Sequence, residues 1–131
     1  MKYLCDTNIL SELVRPEPNS GVLRWARSVK VIALSAVVVE EISYGLNWKP
    51  NVRIQNWFDC FLDQHCRVFP VSELVARRAG EMRGRLQALG QVRTQADMFL
   101  AATAAEYGLT LATRNTRDFE GCGIALLNPF S

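Results

Sequence analysis

Asp6 directly follows the apolar run from Lys2 to Cys5, and Thr7 and Asn8 come next as supporting polar groups. If that run is a strand, the carboxylate stands at its carboxyl end, the edge of an α/β sheet where ligands collect. It could equally cap the helical turn that follows, with Asn8 as a second cap. Asp118 has the same ambiguity in Ala112-Thr113-Arg114-Asn115-Thr116-Arg117-Asp118-Phe119, where an Asp also suits a turn. Asp97 falls three residues after Thr94. Thr94-Gln95-Ala96-Asp97 is thus a loose capping box with a carboxylate in the first helical turn.

Glu40 and Glu41 are neighbours that a helix sends in different directions, because each residue turns the chain by about 100°. The apolar stripe centres between Ile42 and Leu46. Glu40 lies nearly opposite it, in solvent, whereas Glu41 flanks it one turn from Gly45, which leaves space unfilled. The helical phase therefore selects Glu41.

Each acid alone has an ordinary explanation, but four at one sheet edge repel one another, and such a cluster usually exists to hold a cation. Oxygen donors in a chain with one histidine suit Mg²⁺ or Mn²⁺. Such ions activate water and stabilise the leaving oxygen of a phosphodiester, so no protein nucleophile is needed. Because the acids repel a polyanion, its binding falls to the metal and to arginines such as Arg77, Arg78, Arg83, Arg85, Arg93 and Arg114. The net charge is only +2, yet 12 of the 15 basic residues are Arg, the better phosphate and base ligand.

The elements that must position these residues alternate. Strands are expected at Lys2 to Cys5, Val29 to Leu34, Cys66 to Val71, Leu109 to Thr113 and Gly123 to Asn128. Between them come a turn of helix from Ile9 to Val14 closed by Pro16 and Pro18, then a short helix capped by Ser20. A helix capped by Ser35 runs through Leu46, and an amphipathic one carries Ile54, Trp57, Phe58, Phe61 and Leu62. An Arg-bearing helix from Leu74 ends at Gly90, and a helix opened by Thr94 ends at Gly108. Short strands, apolar on both faces and separated by helices, imply βαβ units: an α/β fold with a mainly parallel central sheet flanked by helices.

With 131 residues, 49% hydrophobic and 21% charged, the chain is expected to be one domain over residues 1–131. No apolar run approaches a bilayer span, and the first residues do not form a secretory signal, so a cytoplasmic protein without a membrane partner is expected. Cys5, Cys60, Cys66 and Cys122 form no CxxC pair, and His65 reads as a polar residue before a strand.

The sequence resembles the PIN-domain ribonucleases, specifically the VapC-type toxins of bacterial toxin-antitoxin pairs. The resemblance is carried by Leu4-Cys5-Asp6-Thr7-Asn8-Ile9-Leu10-Ser11, Glu40-Glu41-Ile42-Ser43-Tyr44-Gly45, Ala96-Asp97-Met98-Phe99-Leu100-Ala101-Ala102-Thr103-Ala104 and Thr113-Arg114-Asn115-Thr116-Arg117-Asp118-Phe119, in that order. It implies a single PIN-like domain in which Asp6, Glu41, Asp97 and Asp118 are catalytic and hold Mg²⁺. Some relatives carry an acid where this chain has Asn115. That amide then hydrogen-bonds or positions water, and Thr113 supports the loop. The resemblance also implies an RNA substrate, a homodimer, and a VapB-type antitoxin whose C-terminal segment lies across the active site.

Other readings fit less well. A haloacid-dehalogenase-like phosphatase needs a second carboxylate where Asn8 stands, a response-regulator receiver needs a late Lys, and dinucleotide binding needs a Gly-rich turn after a strand. The remaining alternative is a PIN-like scaffold that binds RNA or protein without cutting. Retention of all four acids speaks against it.

Overall fold

The computed structural model describes residues 2–131. Strands β1 (Tyr3–Cys5), β2 (Ile32–Ser35), β3 (Cys66–Phe69), β4 (Thr110–Ala112) and β5 (Leu126–Leu127) form one sheet in the order β3-β2-β1-β4-β5. Every pairing is parallel, and Leu4 stands opposite both Ala33 and Leu111. Six helices flank it: α1 (Thr7–Leu13), α2 (Ser20–Ser28), α3 (Ala36–Trp48), α4 (Val52–His65), α5 (Glu73–Ala88) and α6 (Gln95–Tyr107). A 3₁₀ turn spans Thr116–Phe119. The all-parallel arrangement explains the composition of the strands. With helices on both faces, Leu4, Cys5, Ala33, Leu34, Leu111 and Ala112 are all fully buried, so no polar alternation survives.

α6 reaches the sheet through its small residues. Ala101, Ala102, Thr103 and Ala104 are all buried, and the Thr103 hydroxyl donates to the Phe99 carbonyl, which satisfies it inside the helix. Gly108 ends that helix at φ +62°, a left-handed cap that a side chain would strain.

The structure moves several expected boundaries. α1 begins at Thr7 rather than Ile9 because Asp6 caps it, its carboxylate accepting from the Thr7 N–H. α2 is capped by Asn19 instead of Ser20; the Asn19 side chain accepts from the N–H groups of Gly21 and Val22, and Ser20 becomes the first helical residue. β2 starts three residues late, at Ile32, after α2 ends at Ser28. Ser35 both ends the strand and caps α3, accepting from the Val37 N–H. β3 stops at Phe69 because Pro70 has no N–H for the ladder. β5 shrinks to two residues.

His65 closes α4 as an exposed ring 5.6 Å from that of Phe61. All four cysteines are free. Among the described residues no helix is long and apolar enough to cross a membrane.

Candidate active site

The carboxyl ends of β1, the central strand of the sheet, and of its neighbour β4 open into a cleft of about 770 Å³. Asp6, Glu41, Asp97 and Asp118 all line it, together with Thr7, Asn8, Arg114 and Asn115. Four separate elements deliver the acids. Asp6 comes from the turn after β1, Glu41 from the second turn of α3, Asp97 from the first turn of α6, and Asp118 from the 3₁₀ turn after β4.

Asp6 is the most enclosed, with 8% of its surface exposed. One oxygen, Oδ1, accepts from the Thr7 N–H at 2.7 Å. The other, Oδ2, accepts from the Thr113 hydroxyl at 2.8 Å and from Asn8 Nδ2 at 3.3 Å. Its backbone N–H donates to the Ala112 carbonyl, extending the β1–β4 ladder by one rung. Thr113 is fully buried, and its hydroxyl also accepts from the Asn115 N–H at 3.0 Å. Asn8 turns its Oδ1 the other way and accepts from the Arg114 N–H at 3.1 Å. Asn8 and Thr113 thus hold the Asp6 carboxylate and the post-β4 loop in one network.

Glu41 is exposed, but its Oε1 accepts from the Thr7 hydroxyl at 2.9 Å, which draws α3 toward the start of α1. Glu40 lies outside the cleft, beside Tyr44 and Trp48 on the outer face of α3. Both glutamates are exposed, and of the two only Glu41 faces the cleft, the direction the helical phase read from the sequence expects. The Thr94 hydroxyl accepts from the Asp97 N–H at 3.1 Å and so fixes the first turn of α6.

Burial raises the carboxyl pKa of Asp6 above its ordinary value. Hydrogen bonds from Thr113 and Thr7 oppose the rise, and the nearby Asp118 charge adds to it. Asp97 is raised as well, first by burial and then by the charges of Asp6, Asp118 and Glu41, against the lowering contact with Thr94. Each of the four acids is thus involved in the repulsion within the cleft.

This donor set fits a hard divalent cation: it is all oxygen, anionic, and mutually repelling until a positive charge enters. Among the described residues no three acids stand close enough to form a ready cage. That openness suits an ion that keeps part of its water shell and takes only one or two carboxylates directly.

Arg93 does not line the cleft; its guanidinium donates to the Glu120 carbonyl at 3.1 Å and braces the loop beyond the 3₁₀ turn. Ser11, Thr94 and Ala96 also line the cleft, as do three residues that the sequence reading did not single out: Glu12, Arg15 and Phe130. Glu12 is buried, accepting from the Asn19 N–H at 2.8 Å and from Arg15 at 3.3 Å. The i, i+4 spacing of Asn8 and Glu12 places both on one face of α1, with Arg15 just past the C-cap Val14, and was the available signal for that wall. Phe130 left no local signal.

A sequence pattern described as the PIN domain matches residues 3–122. The chain is 33% identical over 133 residues to VapC ribonuclease Y4jK of Sinorhizobium fredii, covering 95% of each chain. It is 34% identical to Toxin FitB of Neisseria gonorrhoeae, covering 97% of each. Among solved structures, FitAcB from Neisseria gonorrhoeae superposes with a TM-score of 0.84 at 34% identity, covering 97% of both chains. VapBC2 from Rickettsia felis, bound to a promoter DNA fragment, superposes at 0.85 with 26% identity over 98% of both.

Proposed function

The chain belongs to the PIN domain family, and from that premise we propose that it is a metal-dependent endoribonuclease, the toxin of a type II toxin-antitoxin pair. The reading is carried by one observation above the rest: four carboxylates from four elements share a single cleft, and two of them are raised in pKa partly by the others. Members of this family generally use divalent ions; here Mg²⁺ or Mn²⁺ would be held among Asp6, Asp97, Glu41 and Asp118, one or two of them directly and the others through water. When bound, the ion supplies activation of a water and neutralisation of charge on the phosphodiester.

The chain's own residues do the rest. Asp6, with both oxygens engaged in hydrogen bonds, is fixed in orientation before any ligand arrives. Thr113 and Asn8 keep that orientation and tie it to the Arg114 loop. Arg15 and Arg114 stand on the rim of the acid cleft, where guanidinium groups offset the repulsion between the carboxylates and an RNA backbone. Asn115, in the lining, is positioned to hydrogen-bond a water or a phosphate oxygen.

The reading includes a VapB-type antitoxin, a homodimer, and action in the cytoplasm by residues 1–131 as one nuclease domain. Support for an antitoxin partner comes from the solved relatives, which include VapBC2 from Rickettsia felis and FitAcB from Neisseria gonorrhoeae. The test is incubation of total cellular RNA with protein freed of co-purifying partner, with Mg²⁺ or Mn²⁺, with EDTA, and with Asp97→Asn. Discrete fragments that disappear with EDTA and with the variant are expected. Absence of both cleavage and metal binding would leave a non-catalytic scaffold.

A further inference from the structure

Residues 128–131 return to the active cleft from the far end of the chain, and the return is built rather than incidental. Pro129 is buried. Asn19 grips the segment twice: its Oδ1 accepts from the Ser131 N–H and its Nδ2 donates to the Ser131 carbonyl, both at 3.1 Å. The Ser131 hydroxyl meets the Gly21 N–H at 3.1 Å and the Ser20 hydroxyl at 3.2 Å. Gly21 is glycine for this reason, since a Cβ there would lie 2.5 Å from the Pro129 carbonyl and 2.8 Å from Ser131 Cβ. Between the two anchored residues, Phe130 is set into the wall of the cleft.

Arg114 lies over that ring, its guanidinium carbon 4.7 Å from the centroid. Its backbone is pinned on the opposite side by the bond to Asn8 Oδ1. Although it shares a cleft with four carboxylates, Arg114 forms no ion pair among the described residues. It is exposed, backed by an aromatic ring, and a neighbour of the acids.

We propose that Arg114 and Phe130 form a stacking plate that selects the nucleobase beside the scissile phosphodiester. Charge alone would serve a phosphate, and a free Lys or Arg supplies it without a ring beneath. The ring backs the guanidinium on one side and limits its motion, which favours stacking of an unpaired base on the other. Single-stranded RNA is commonly held in this way, on aromatic rings and guanidinium planes, and stronger-stacking bases bind better. The proposal rests on the ribonuclease reading and adds a base preference to it.

The experiment measures binding of the RNA octamers rA₈, rU₈ and rC₈ in Ca²⁺, alongside end-mapping of fragments cut from total RNA in Mn²⁺. Wild type, Arg114→Lys, Phe130→Leu and Phe130→Tyr are compared, with thermal midpoints as the folding control. The expected result is a modest purine preference of about fivefold in wild type, within the energy of a single stacking contact, kept by Phe130→Tyr. In Arg114→Lys and Phe130→Leu it should fall below about twofold, with the preference at one position beside the cut lost in parallel. Lys keeps the charge and Leu keeps the apolar bulk, so loss of preference in both isolates the plate. A uniform fall in affinity with preference intact would overturn the plate and leave Arg114 as a phosphate contact. A wild type that neither binds nor cuts RNA would overturn the ribonuclease reading itself.

Discussion

Thr113 Oγ1 donates to Asp6 Oδ2 across 2.8 Å, joining the ends of β4 and the central strand β1 through a residue with no exposed surface. Thr113→Val keeps the shape and removes that donor. The Asp6 carboxylate then loses a bond that lowers its pKa, and the Asn115 N–H loses its acceptor. The expected cost is about 1–3 kcal/mol of stability, the usual penalty for stranding buried polar groups. Weaker metal binding should accompany it, and urea unfolding and Mn²⁺ titration measure the two effects.

Asp97→Asn is the cleanest removal of charge from the site. At Asp6 an amide would aim its NH₂ at one or both of the donors on Thr113 and Asn8 or abandon the Thr7 cap, so Asp6→Asn alters the hydrogen bonding as well as the charge. Asp97→Asn removes first a burial penalty on charge, then the contact with Thr94 and the repulsion from Asp6, Asp118 and Glu41. Cleavage should fall on the order of 100-fold, the scale for losing one electrostatic group from a reacting centre. The metal-free thermal midpoint should hold or rise.

Glu41→Gln and Glu40→Gln differ by one position and should differ in effect. Only Glu41 lines the acid cleft and holds the Thr7 hydroxyl. Glu41→Gln should lower cleavage and metal affinity by about 10-fold or more, and Glu40→Gln should leave both near wild type. Equal losses in parallel rate measurements would show that α3 presents a different face.

The raised carboxyls set a pH dependence with a definite sign. Asp6 and Asp97 have folded-state pKa values above their unfolded ones, from burial first. Their contribution therefore favours folding in acid, below the unfolded values, and is lost as pH rises through the folded ones. At neutral pH the metal-free site is under strain from charge, and a divalent ion relieves it. EDTA should lower the melting temperature at pH 7.5 and change it little near pH 4, as scanning calorimetry would record.

Gly21→Ala tests the clasp on residues 128–131. The added methyl meets backbone on both Pro129 and Ser131, neither of which is a flexible tip. A loss of about 1–3 kcal/mol is expected from this overpacking, with reduced RNA affinity as Phe130 shifts. A crystal structure of the variant would show whether the segment has moved.

How much of this was legible beforehand depended on whether the signal was local. Asp6 after an apolar run, Asp97 after Thr94, and the helical phase of Glu41 each needed only a few neighbouring residues, and the structure brings those three together with Asp118 in one cleft. Boundaries were harder where two signals competed. Asn19 outcompeted Ser20 as a cap because it also binds Ser131, a contact 112 residues away that no local pattern reveals. Phe130 was missed for the same reason. The partial burial that raises Asp6 and Asp97 is likewise a product of packing, not of spacing.

The position of β1 between β2 and β4 also orders events in time. Its neighbour β4 is made more than a hundred residues after Asp6, and Thr113, Arg114 and Asp118 come later still. A chain still being synthesised holds Asp6 and Glu41 without the loop that completes their cleft. On a nascent chain the cleft is therefore incomplete until residues 113–118 have been made and have folded against β1.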